Sequence, residues 1–191
     1  MKALVVYESM FGNTEAIARA IAECLEADFD VTVADVRTMP PFGDTDLLVI
    51  GAPTHAFSTS RPRTRAHVTR KATIRARAFG IGVREYLEYA PWLTGVHAAA
   101  FDTTMKMPVL PGSAARKAHR RLRGLGCHMV AAAESFHVTG TTGPLVGGEA
   151  DRARRWAGTL AGTVLAELPS RDAAGFTTVA VMTDAEPLRT Q

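Results

Sequence analysis

Hydrophobic residues fall along this chain in two alternating rhythms. Ala3 to Tyr7 (ALVVY) is a short run, apolar on both faces, which predicts a strand buried in a parallel sheet and ending at Glu8. After a seven-residue loop the spacing changes. Ile17, Ile21, Cys24 and Leu25 stand at i, i+4, i+7 and i+8, one apolar stripe of a helix over Thr14 to Ala27 that can cover the strand. Asp30 to Val36 alternates as a second strand, and Asp46 to Gly51 (DLLVIG) is a third, bounded by turn residues. Arg61 to Leu93 is largely helical in composition, interrupted by Gly80 and Gly82. Val96 to Phe101 returns to strand, Ser113 to Leu125 is a helix stopped by Gly126, Cys127 to Ala133 is a fifth strand, and Glu149 to Leu168 a last helix.

This alternation requires a parallel sheet covered on both faces. The expected fold class is therefore α/β, a three-layer, doubly wound, five-stranded parallel sheet. Ligands of such sheets bind beyond the carboxyl ends of the strands, where the strand order reverses, so the loops after strands one, three and four are the candidates for chemistry. Residues 1–168 form the expected domain. Residues 169–191, with Pro169, Gly175 and Pro187, are expected to be a tail, an extra strand (Phe176 to Met182) or an oligomerisation arm.

Composition narrows the class. With 191 residues, 47% hydrophobic and 21% charged, the chain is one ordinary globular domain and not a disordered one. No run approaches the ~18 apolar residues of a membrane span, and the first apolar run is too short for a signal peptide, so a cytoplasmic protein is expected. Cys24 and Cys127 have no metal or redox spacing and read as core residues. Charge is unevenly spread. Residues 1–50 hold three basic and nine acidic groups, whereas Arg61, Arg63, Arg65, Arg70, Lys71, Arg75, Arg77 and Arg84 follow Gly51 without a carboxylate among them. A second basic cluster is Arg116, Lys117, Arg120, Arg121 and Arg123. Such stripes attract anionic partners, although plain solvated helix faces are the simplest reading. Nucleic acid is disfavoured because no aromatic residues interleave the arginines.

The first loop, Glu8-Ser9-Met10-Phe11-Gly12-Asn13-Thr14, runs directly into a helix. Unpaired amides, a glycine and short hydroxyl and amide side chains make it a place for a phosphate. It lacks the lysine of a P-loop and the second and third glycines of a dinucleotide fold. Gly51 and Ala52 stand where a receiver domain needs its phosphoacceptor, and no C-x5-R phosphatase loop is present. A helix cap through Asn13 or Thr14 is the plain structural alternative.

The second loop, GAPTHAFS from Gly51 to Ser58, faces the first across the switch point. Together, YESMFGNT and GAPTHAF resemble the flavodoxin-like flavoproteins, with element order matching over residues 1 to about 168. The resemblance implies the strand order 2-1-3-4-5, for which flavodoxin is the type example, and FMN as cofactor. It places Ser9, Met10, Phe11, Gly12, Asn13 and Thr14 around the phosphate, Phe11 departing from the usual hydroxyl. It places Pro53, Thr54, His55, Ala56 and Phe57 along the flavin. Asp102, Thr103 and Thr104 open a third loop, running to Pro108, at the position where many flavodoxins carry a stacking tyrosine. None is present there, which leaves Phe57 as the candidate ring stacker.

Other features read as ordinary structure: His55 as a loop residue or proton relay, Met105 and Met107 as gap fillers, Thr139 to Gly148 as a lid or a long connection. Tyr86, Tyr89 and Trp92, with Leu87 and Leu93, read as one packed helix end. The implied function is electron transfer through FMN to a redox partner protein, without catalytic side chains or a metal. The alternatives are an NAD(P)H-dependent quinone or flavin reductase, with the nicotinamide's phosphates on Arg61 to Arg77, and a regulatory module that has lost FMN.

Overall fold

Residues 1–54, 81–105 and 112–167 are described in this computed structural model. His55, Ala56, Phe57, the basic stretch from Arg61 to Arg77, Met107 and the segment 169–191 lie outside them.

The strands β1 (Lys2–Tyr7), β2 (Asp30–Asp35), β3 (Leu47–Pro53) and β4 (His97–Met105) pair in parallel in the order β2-β1-β3-β4. β5 (His128–Met129) and then β6 (Glu134–Val138) pair with the free side of β4. This is the doubly wound sheet that the alternation requires, in the 2-1-3-4-5 order that the resemblance implies. Helices α1 (Asn13–Leu25) and α4 (Glu149–Glu167) cover one face, α2 (Val83–Glu88) and α3 (Ala114–Gly124) the other. Because helices lie on both faces, β3 is buried at every position, and only a continuous apolar run such as LLVIGAP fits there. Each fully buried Leu, Val or Ile contributes roughly 1.5–3 kcal/mol.

Three boundaries differ from the sequence reading. β3 continues past Gly51 through Ala52 and Pro53, and β4 continues past Phe101 through Asp102, Thr103 and Thr104 to Met105, so these added residues are strand, not loop. Pairing extends them: Asp102 faces Ala52 and Ser135, and Thr103 faces Pro53 and Phe136. The fifth strand, expected over Cys127 to Ala133, pairs within that span only at His128–Met129 and resumes beyond it at Glu134–Val138. Between Met129 and Glu134 its chain advances two residues more than β4 does between Ala98 and Phe101, so Val130 to Ala133 bulges out of the ladder. The helical reading of Arg61 to Leu93 holds, among the described residues, only for Val83–Glu88.

That early stop overturns the expectation for the aromatics. Tyr86 is buried, stacked on Phe42 at 4.7 Å, with its hydroxyl donating to the Pro40 carbonyl at 2.7 Å. Tyr89 and Trp92 are 74% and 78% exposed, because the chain leaves the helix before Pro91 and the apolar stripe loses its period. Both cysteines are free and pack in the core, where burial pushes the Cys127 thiol up to about 11.

Gly51 is required by its neighbour. It pairs with Phe101, whose ring lies so close that an added Cβ would fall under 3.0 Å from three ring carbons. Phe101 is in turn held edge-on by Phe136 at 5.9 Å and Trp156 at 6.3 Å. At the opposite rim, Glu167 ends α4 with its Oε2 3.1 Å from His97 Nε2 and 3.0 Å from His128 Nε2, at the amino ends of β4 and β5. Among the described residues, no helix is long and apolar enough to cross a membrane.

Candidate functional site

The carboxyl ends of β1, β3 and β4 meet at the start of α1. That helix opens on Gly12, which is left-handed at φ 85°, and no side chain caps it. Its first-turn amides therefore have no partner in the helix and point outward. Ser9 Oγ accepts the Gly12 amide at 3.1 Å, curling the loop, and keeps its own hydroxyl proton to donate. Thr14 is buried, 2.8 Å from Thr103 Oγ1 on β4. Whichever of the two donates, the other has a proton left for a third group.

Met10 and Phe11 are half-buried beside Gly12, which is exposed; a Cβ on Gly12 would meet nothing within 4 Å. The loop thus presents donors around open space, which is what a phosphate monoester requires. It contains no basic side chain, so amides and hydroxyls would hold the charge. The neighbouring carboxylate of Glu8 is turned inward, accepting the Val83 amide at 3.0 Å.

The segment 139–148 is brought onto this loop, which the sequence alone does not decide. Asn13 Nδ2 donates to the Thr142 carbonyl at 3.1 Å, and Gly143 packs so closely on the Asn13 side chain that a Cβ there would approach three of its atoms to under 3.0 Å. The segment is closed on itself by the Thr139 amide on Pro144 O and the Val146 amide on His137 O, both 2.9 Å.

Asp102 is fully buried and serves as a tie. Its Oδ2 accepts from Thr54 Oγ1 at 2.8 Å, Ser113 Oγ at 2.6 Å and the Ala115 amide at 3.0 Å. Thr54 in turn accepts the Ala114 amide at 3.0 Å, and Ser113 caps α3 by accepting the Arg116 amide at 3.1 Å. The end of β3, the body of β4 and the start of α3 are pinned together by this one carboxylate, stabilised at the positive end of the helix. Asp102 and Thr103 thus face the interior rather than the site's opening. Thr104 is half-buried one residue on, and Pro53 is buried beneath Thr54.

Beyond β6, Arg152 joins Glu149, Glu134 and the Ser135 carbonyl, with its guanidinium 4.4 Å above the Phe136 ring. Burial pushes the Glu149 carboxyl up, but Arg152 and the His137 amide at 2.7 Å outweigh it and hold the group below its ordinary value of 4.5. A depressed carboxyl contributes stability above its unfolded value and loses it as the pH falls through the folded one. The Tm should therefore fall as pH drops below about 4.5. Arg152→Gln should lower the Tm at neutral pH and flatten that acid fall, measured by circular dichroism melts; an unchanged profile would refute the assignment.

The flavodoxin family model matches residues 5–160. The chain belongs to the flavodoxin family. No curated protein matches it by sequence. Among solved structures it is similar to oxidised flavodoxin 1 from Bacillus cereus, at 18% identity and TM-score 0.62 over 85% of this chain and 98% of that one. It is also similar to flavodoxin 2 of the same organism, at 21% and 0.63 over 85% and 99%, and to a flavodoxin from the domain Archaea, at 20% and 0.60 over 86% and 99%. At such identities these likenesses speak for the fold. The cofactor of the flavodoxin family is FMN, and the donors at the start of α1 fit its phosphate.

Proposed function

We propose that this flavodoxin-family protein is an FMN-dependent electron carrier serving a redox partner protein in the cytoplasm. The observation that carries the reading is the uncapped start of α1 at left-handed Gly12, ringed by hydroxyls and open to solvent at the switch point of the sheet. When bound, FMN supplies the reversible uptake and release of electrons. Ser9, Met10, Phe11, Gly12, Asn13 and Thr14 hold the phosphate through amides and hydroxyls. Pro53 and Thr54 lead into the loop along the ring, which continues into His55, Ala56 and Phe57. Asp102 and Thr103 position these loops from below, and Thr104 stands at the mouth. The two free cysteines suit a reducing compartment.

The test is FMN retention and turnover. Gly12→Val forces a β-branched residue into a left-handed conformation at about 1–2 kcal/mol, so FMN should bind roughly 5- to 30-fold more weakly. Equal retention by wild type and variant in equilibrium dialysis would remove the phosphate assignment. The reductase alternative predicts sustained oxidation of NADPH or NADH with a small quinone and no added partner. The carrier reading expects that rate to be negligible.

A further inference from the structure

We propose that the outer face of α3 is the docking surface for an acidic redox protein; this rests on the electron-carrier reading and names its partner by charge. Arg116, Arg120 and Arg123 stand at i, i+4 and i+7 and so form one exposed stripe, on a helix without a single acidic residue. No ion pair with a described residue engages these three. Lys117 and Arg121 lie on the neighbouring stripe, toward α2, where Arg121 donates to the Leu87 carbonyl at 3.2 and 3.1 Å.

The stripe also has relief. Arg116, His119 and Arg120 border, with Ala132 and Ala133, a recess of about 490 Å³ between α3 and the bulge of the fifth strand. His119 Nδ1 is buried there without a partner. Burial, and then Arg123, lower the basicity of the His119 ring, so the positive charge of the recess belongs to its arginines. Arginine is enriched at protein interfaces, and in this recess it suits a carboxylate side chain inserted from a partner.

Position links the surface to electron transfer. α3 begins one residue after Ser113, which is bonded to Asp102 beneath the site. At 1.5 Å per residue, Arg116 to Arg123 lie ~5–15 Å along the helix from there. A standard interface of about 800 Å² per partner has a radius of ~16 Å, so a partner centred at Ser113 reaches along the stripe.

The probes are cytochrome c in its native basic form and after succinylation, which turns lysine ammonium groups into carboxylates and keeps the same haem. With both proteins oxidised, binding is titrated; then dithionite-reduced, FMN-loaded protein is mixed with each, every ferric haem taking one electron from it. The succinylated form should bind more tightly and react faster than the native form, with both advantages shrinking as salt rises. Arg116→Glu and Arg120→Glu should each weaken binding and slow the reaction by roughly fivefold or more, while the charge-matched Arg155→Glu on α4 should not. An acidic residue in the first turn of α3 is favourable, so Arg116→Glu should fold.

Equal losses for all three variants would reduce the effect to net charge and overturn the docking surface. So would unchanged binding in Arg116→Glu and Arg120→Glu, or tighter binding of random-sequence duplex DNA that the same variants abolish. Because binding is read with no electron moving, failure of the protein to retain FMN would count against the carrier reading alone, and α3 would still stand or fall on the titration.

Discussion

Gly51→Ala is expected to destabilise the protein by about 3 kcal/mol, at the upper end of what overpacking costs, and to lower the Tm by roughly 10 °C. The new methyl would enter the ring of Phe101, which cannot retreat because Phe136 and Trp156 hold it from two sides. Gly51 also accepts the Glu8 amide at 2.9 Å, so any shift of β3 is transmitted to the start of the loop that leads into α1. Adding Phe101→Leu should recover part of the loss, since the two side chains share one space and their effects cannot add. Thermal melts of the two single variants and the double would show this. A Tm for Gly51→Ala within a degree or two of wild type would mean the ring is not confined.

Asp102→Ala should cost roughly 3–5 kcal/mol, because it strands the hydroxyls of Thr54 and Ser113 and the buried amide of Ala115 at once. Asp102→Asn should cost far less. Its oxygen can replace Oδ2, and its amide occupies the place of Oδ1, a buried atom without a hydrogen-bond partner. The pair therefore separates the loss of an acceptor from the loss of a charge. The same alanine should also weaken FMN retention, as the ends of β3 and β4 are no longer tied to α3. Denaturant melts and equilibrium dialysis on both variants check these outcomes. If asparagine proves as damaging as alanine, the negative charge at the head of α3 carries the effect rather than the acceptor geometry.

The strands were legible because each has its own rhythm, the continuous run ALVVY or LLVIG needing no distant information to be read as a buried strand, whereas their order followed from the flavodoxin-like resemblance. The loop proposed to hold the phosphate stands out in the sequence because its residues are consecutive from Ser9 to Thr14. Strand ends were not. Asp102 and Thr103 look like loop in the sequence, since a carboxylate and a hydroxyl seldom lie wholly buried in a strand. They are tolerated because Thr54, Ser113 and Thr14, lying 11 to 89 residues away, bond Asp102 Oδ2 and the Thr103 hydroxyl. The docking of 139–148 on Asn13 depends on a pair 129 residues apart, and no local pattern encodes it. Tyr89 and Trp92 misled because helical spacing continues on paper past the residue where α2 stops.

The histidine pair that holds Glu167 has a practical consequence for handling the protein. β4 spans nine residues from His97 to Met105, so the point where the chain leaves α4 is about 26 Å, a full strand length, from the rim that bears Gly12 and Thr54. A linker to an electrode, a bead or a dye joined directly after Glu167 would depart from the far rim. The protein would stand on its tether with the loops above β1, β3 and β4 facing solution.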